Sequence, residues 1–405
     1  MARPPLRTGL DRLLEQCGEL RGRRYGVLAH SAAVSRDLVP IHLALARSGA
    51  EPARRLFAPE HGLYGVEQDM VASRDMRDPW TQVPVVSLYG DSKTSLKPDR
   101  RAFDGLDLVI IDLQDVGSRY YTYAATGVWT AEAALAAGCV VWILDRPNPL
   151  GGEVIEGNIR QAGYESFVGA FAMPVRHGLT LAELVRMVLR REGGDEALRV
   201  WPMNGWARSC DWAATGRPWV APSPNIPTAQ TAQVYPGGCL LEATGFSEGR
   251  GTTRPFELLG APDLDAVALA DALNARTLPG ARFAPVLFKP QHQKHAGRAC
   301  AGVQWFVDDP DVCRPYRCGV EILRVLHEAA PAAFAWRREP YEFESDRPAI
   351  DLLTGDSRFR TGLERNDPGG IDEWIAEWAG DEAAFRAARL PYLLYPEVED
   401  ERRVE

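Results

Sequence analysis

Short apolar runs alternate with helix-spaced segments through the first half of the chain. Tyr25-Gly26-Val27-Leu28-Ala29-His30 reads as a short buried strand, and Val39 to Ser48 as a helix. Arg54 to Ala58 predicts a second strand and Pro84 to Leu88 a third apolar run. Leu106 to Leu113, rich in β-branched residues, is the clearest buried strand. A helix from about Gly127 to Ala137 follows, then a further buried strand from Cys139 to Asp145. This alternation predicts a parallel sheet covered by helices. Asp112 and Asp145 each close a predicted strand. Open α/β sheets collect their sites at strand carboxyl ends, so both acids are expected on one crevice. An amphipathic helix pattern, Leu10 to Leu20, precedes the first strand.

Further along, Arg146 to Gly152 is a series of tight turns. Thr180 is placed to cap a helix running from Leu181 to Arg190, with Glu183 as its reciprocal partner. Ala221 to Thr228 holds three prolines and predicts a rigid extended segment, either a linker or a pocket wall. From Leu240 onward the pattern is α+β, and its tail carries Trp374 and Trp378 on an amphipathic helix as core residues. The expected fold is therefore α/β. A Rossmann-like parallel sheet domain spans residues 1–232, and a smaller α+β domain spans 233–405.

Composition narrows the function classes. A formal net charge of -9, from 46 basic and 55 acidic residues, argues against a nucleic-acid-binding surface. No apolar run approaches the length of a membrane span. The N-terminal residues lack an apolar signal core and a small-residue cleavage site, which predicts a cytoplasmic protein. Seven cysteines without a CxxC pair fit reduced structural thiols, Cys313 and Cys318 included. The phosphate-binding GxGxxG is missing after the first strand, where the chain reads Leu28-Ala29-His30-Ser31-Ala32-Ala33. GxxxxGK[ST] is also missing, so neither a dinucleotide nor any other cofactor is expected.

Three segments carry candidate chemistry. In Phe57-Ala58-Pro59-Glu60-His61-Gly62-Leu63-Tyr64-Gly65 a carboxylate and an imidazole adjoin at a strand's end. Pro59 restricts the backbone before them and Gly62 permits the turn after. Asp112 to Tyr123 supplies Asp115, Arg119, Tyr120 and Tyr121. Aromatic rings beside carboxylates suit a sugar, whose apolar face stacks while its hydroxyls take hydrogen bonds. Ser247 to Phe256 places Glu248, Arg250, Thr252 and Arg254 among glycines, and the arginine fork matches a carboxylate.

Together these segments resemble the exo-β-N-acetylmuramidases of the NamZ type, long described only as a domain family of unknown function. The resemblance runs through PEHGLYG (59–65), DLQDVGSRYYTY (112–123), LDRPNPLGG (144–152), SFVGAFAMPVRHGLT (166–180), PSPNIPT (222–228), YPGGCLLEATGFSEGRGTTRPFE (235–257) and GAP (260–262). The chain departs from the family pattern at Glu242-Ala243-Thr244-Gly245 and at Ala29-His30-Ser31-Ala32-Ala33. The resemblance implies an active site in the cleft between the two domains. It also implies release of N-acetylmuramic acid from the non-reducing ends of peptidoglycan fragments, with Glu60 as leading catalytic residue and no metal.

Glycoside hydrolysis needs an acid for the leaving oxygen and a second group as nucleophile or base. Glu60 is expected as the general acid, with His61 orienting it or binding a hydroxyl. Glu248, Asp115 and Tyr120 stand as alternatives for the second group. N-acetylmuramic acid carries a lactyl carboxylate, for which Arg119, Arg250 and Arg254 are the candidate cations and Arg250 the favoured one. Tyr121, Asn148, His177, Asn225 and Thr252 complete the expected substrate contacts. Three other readings compete. One is a metal-dependent hydrolase using Glu60, His61, Asp112 and Asp115, although HExxH is absent. Another is a non-catalytic muropeptide-binding protein. The third, a serine esterase, lacks GxSxG.

Overall fold

A computed structural model describes residues 5–191 and 196–396. Its first sheet has seven strands: β1 (Tyr25–Ala29), β2 (Arg55–Ala58), β3 (Met76–Arg77), β4 (Pro84–Ser87), β5 (Leu108–Asp112), β6 (Val140–Leu144) and β7 (Leu198–Trp201). They lie in the order β3-β4-β2-β1-β5-β6-β7. All neighbours run parallel except β3 and β4 at the edge. Val27 at the centre of β1 faces Leu56 on one side and Ile110 on the other. β1 and β5 are buried at every position, as strands covered on both faces must be.

The chain builds outward from β1 through β2 to β4, then returns to the far side of β1 as β5. Strand order reverses there, and the carboxyl ends of β1, β2 and β5 open a crevice. Glu60 lies two residues beyond β2, and His30 directly follows β1.

The helix between β5 and β6 runs Tyr123–Ala136, starting four residues before the expected Gly127. Its first turn is buried all round, so no polar face marked it. The expected Leu10–Leu20 helix is instead Gly9–Glu15 followed by a 3-10 turn, Cys17–Leu20, which contains Gly18. The helix Leu181–Val188 carries the expected cap. Thr180 accepts from the Glu183 amide at 3.3 Å, and Glu183 accepts from the Thr180 amide at 3.0 Å. That buried carboxylate is balanced by Arg208 at 2.7 Å.

The two strand-terminal acids do not face the crevice. Asp112 is fully buried in a fork with Arg146, whose Nη2 reaches Oδ2 at 2.8 Å. Asp145 accepts from the Tyr395 hydroxyl at 2.7 Å and the Ala182 amide at 3.2 Å. Burial pushes the Asp145 carboxyl up to about 7.

A second, antiparallel sheet of three strands follows: β8 (Leu258–Ala261), β9 (Ala281–Phe288) and β10 (Cys300–Val307), in the order β8-β10-β9. Helices Ala229–Gly238 and Pro315–Ala329 cross where Gly237 meets Gly319. A Cβ on Gly319 would lie 2.5 Å from the Gly237 Cα. Gly319→Ala should therefore force the two backbones apart and cost about 1–3 kcal/mol, read as a lower urea midpoint. Trp374 and Trp378, on the helix Pro368–Arg389, are both buried core residues. All seven cysteines are free thiols. Among the described residues no helix is long and apolar enough to cross a membrane.

Candidate active site

At the crevice the chain turns sharply after β2. His61 has a φ of 68°, in the left-handed region, and Gly62 follows at 77°. A histidine held there is strained, and such strain gathers at functional sites. The turn buries the carboxyl of Glu60, whose Oε2 accepts from the Thr122 hydroxyl at 2.8 Å. Its Oε1 faces the Met70 amide at 3.4 Å. His61 Nδ1 lies 2.9 Å from the Glu67 carbonyl, so Nδ1 carries a hydrogen and donates it there.

Behind this turn, two groups fix the triple-proline segment. His30 Nδ1 lies 3.1 Å from the Pro222 carbonyl, and its Nε2 accepts from the Gln114 amide at 2.8 Å. The Tyr123 hydroxyl donates to the same Pro222 carbonyl at 2.8 Å. The segment is thus a pocket wall, with Ser223, Asn225 and Ile226 lining the cavity.

Burial and the nearby Arg146 hold the His30 imidazole down at about 3, so it is neutral in the folded protein. The unfolded chain takes up that proton near pH 6.5, and the folded chain does not. The His30 contribution is therefore complete above pH 6.5 and is lost as the pH falls toward 3, by about 1.4 kcal/mol per unit. Urea midpoints measured from pH 7 to pH 4.5 should fall less steeply in His30→Gln than in the parent.

The cavity lies between the sheet crevice and the second half of the chain. It is lined by Glu60, His61, Asp69, Tyr120, Tyr121, Thr122, Asn225, Tyr235, Glu242, Arg250, Phe256, Tyr341 and Glu342. Its free space is about 40 Å³, room for about one water molecule, because the loop carrying Gln68, Asp69 and Met70 packs over it. Gln68 meets Asn225 at 3.0 Å, and Asp69 meets Arg250 at 2.6 Å.

Of the expected site residues, Glu60, His61, Tyr120, Tyr121, Asn225 and Arg250 come together. Tyr120 contributes its ring only. Its hydroxyl donates to the Pro236 carbonyl, and burial raises the phenol well above its ordinary range. Arg250 is a buried hub rather than a free cation. Nη1 meets Asp69 at 2.6 Å, Nη2 meets Glu242 at 2.6 Å and Nε meets Glu248 at 3.4 Å.

The remaining expected residues lie off the cavity. Asp115 accepts from the Gly117 amide at 2.7 Å, with His177 Nε2 3.6 Å away. Asn148 donates to the Leu179 carbonyl at 3.0 Å and accepts from the Leu150 amide at 2.9 Å. Arg119 is buried and donates to the carbonyls of Asn158, Met173 and Leu353. Glu248 is held between Arg250 and Lys294, the latter at 2.9 Å. Thr252 ties its own loop through the Gly249 carbonyl, and Arg254 pairs with Glu257 at 3.1 Å.

Among the cavity side chains that the sequence did not single out are Asp69, Glu242, Tyr341 and Glu342. Only Glu242 had a signal, as the acid that opens the departing stretch Glu242-Ala243-Thr244-Gly245. The others lie in charged loops without periodicity. Among the described residues, no three His, Cys, Asp or Glu side chains converge to hold a metal ion.

Comparison with known proteins bears on this arrangement. Family models for the N-terminal and C-terminal parts of exo-β-N-acetylmuramidase NamZ match residues 25–230 and 233–395. The peptidoglycan β-N-acetylmuramidase NamZ of Bacillus subtilis is 37% identical over 394 residues, covering 97% of this chain and 92% of that one. The crystal structure of a DUF1343 family protein from Bacteroides fragilis is 31% identical and superposes with a TM-score of 0.85 over 98% of this chain and 100% of its own. A second DUF1343 structure from that organism, 26% identical, gives 0.74 over 98% and 100%. With matching models on both halves and a buried glutamate at the crevice they share, this chain belongs to the NamZ family of exo-β-N-acetylmuramidases.

Proposed function

We propose that this protein hydrolyses the β-glycosidic bond of a terminal N-acetylmuramic acid, releasing that sugar from the non-reducing ends of peptidoglycan fragments. The observation that carries the reading is the buried carboxyl of Glu60, set at the strand-order reversal in a cavity walled by tyrosine rings. Carboxyl groups supply the proton transfers and carry the charge changes of glycoside cleavage, and with the loop carrying Asp69 moved aside the rings give a sugar an apolar face to pack on. The activity named for the Bacillus subtilis relative agrees with both.

The test is product analysis on a short glycan chain with muramic acid at its non-reducing end. Stepwise appearance of free N-acetylmuramic acid, with no internal fragments, is the expected result. Internal fragments would contradict exo action. Binding of the chain without turnover would favour a non-catalytic receptor. Activity should also survive exhaustive chelation, and its loss there would revive the metal-dependent reading.

A further inference from the structure

A two-residue hairpin reaches into the cavity from the second half of the chain. The Tyr341 amide donates to the Glu344 carbonyl at 2.9 Å, and the Glu344 amide returns the bond to the Tyr341 carbonyl at 2.9 Å. The two residues between them, Glu342 and Phe343, have φ values of 48° and 66°. A hairpin with two left-handed central residues is the place for Asn-Gly. Glutamate and phenylalanine there cost on the order of 1–3 kcal/mol each. Both side chains are in use. The Phe343 ring packs 5.4 Å from that of Tyr89, and the Glu342 carboxyl, 6% exposed, lines the cavity with Glu60.

Glu342 differs from most other acids around the cavity. Asp69 and Glu242 are paired with Arg250. Among the described residues Glu342 has no cation within ion-pair reach. Its hydrogen-bond partner is the Tyr89 hydroxyl at 3.2 Å. A carboxyl withdrawn from water, beside other carboxylates and without a cation, keeps its proton. Burial and the neighbouring Glu60 and Glu242 accordingly raise Glu342 well above the usual carboxylate range. Among the described residues Glu60 also has no cation within ion-pair reach, but it is served by the Thr122 hydroxyl and faces the Met70 amide.

We infer that Glu342 is the proton donor of the reaction and that Glu60 is the carboxylate that acts at the anomeric carbon. This rests on the glycosidase reading above and redistributes the work first expected of Glu60. As the bond from the anomeric carbon to the leaving oxygen breaks, its electron pair goes to that oxygen. The Glu342 proton goes there too, so the leaving sugar departs as a neutral alcohol and Glu342 becomes a carboxylate. Glu60 either bonds to the anomeric carbon or takes a proton from the water that does. In the first case a later water cleaves the ester and returns its proton to Glu342. The sum in both cases is glycoside plus water giving two free sugars. A buried carboxyl that keeps its proton is the usual donor in such a division.

Leaving-group dependence tests the assignment. An aryl glycoside whose phenol departs readily as an anion needs little protonation, whereas a disaccharide needs it fully. Glu342→Gln should lower disaccharide turnover by about 10²–10⁴-fold and 4-nitrophenyl β-N-acetylmuraminide turnover by less than about tenfold. Glu60→Gln should depress both alike. Equal losses on both substrates in a folded Glu342→Gln, or no loss on either, would overturn the proposal.

The parent enzyme gives a second readout that no folding defect can obscure. Its kcat/KM should fall on the alkaline side much more steeply for the disaccharide than for the aryl glycoside, and identical alkaline limbs would overturn the proposal. A parent inactive on both substrates would sink the glycosidase reading itself. An active parent with leaving-group-independent losses would sink only the role of Glu342.

Discussion

Glu60→Gln should reduce turnover of β-N-acetylmuramides by roughly 10³-fold or more and leave the protein as stable as its parent or more so. The amide keeps the shape of the side chain and can still accept from the Thr122 hydroxyl, which lies 2.8 Å from Oε2. It loses the charge and the basicity that the chemistry needs. Glu60 is 4% exposed, shares its cavity with Glu342, Glu242 and Asp69, and has no cation within ion-pair reach among the described residues. Removing one acid from that group relieves repulsion rather than breaking a pair. Large loss of rate without loss of stability is the pattern of a residue kept for function at the expense of the fold. Rates on both substrates and a thermal melt of the same preparation check it. Turnover within a few-fold of the parent would remove Glu60 from the mechanism.

The second large effect concerns Arg250, and it falls on stability. The sequence favours Arg250 as the receptor for the lactyl carboxylate. In that role its replacement would cost muramic-acid substrates far more than glucosaminides. The guanidinium instead meets Glu242, Asp69 and Glu248 together and lies over the Phe256 ring at 5.1 Å. Those carboxylates hold its charge firmly in place. Arg250→Ala would strand acids in a buried space, which typically costs 3–5 kcal/mol. The denaturant midpoint should drop sharply, with activity lost on every substrate. A substrate carboxylate can reach Nη1 only by displacing Asp69, so the loop that carries Asp69 has to move for Arg250 to serve in recognition. A variant with an unchanged midpoint that fails on muramides alone would restore the original recognition role.

The parallel sheet was legible because strands buried on both faces must be near-continuously apolar, as residues 108–111 of β5 are. The Thr180 and Glu183 cap was legible because its spacing is local. Glu60 and His61 stood out through the proline before them and the glycine after. What failed to show was pairing across the chain. Asp112 and Asp145 looked like site acids because the sequence does not reveal that Arg146 and Tyr395 occupy them. Arg119 looked like a free cation because nothing local shows three backbone carbonyls around it. Glu342 was hidden for the opposite reason. A left-handed turn is normally announced by asparagine or glycine, and this one is built from residues that oppose it.

The most direct test is release of 4-nitrophenol from the β-glycoside of N-acetylmuramic acid, with the N-acetylglucosamine analogue run in parallel. Turnover of the first and not the second is the predicted result for an exo-acting muramidase. Turnover of neither by folded protein, or of the glucosaminide alone, would contradict it.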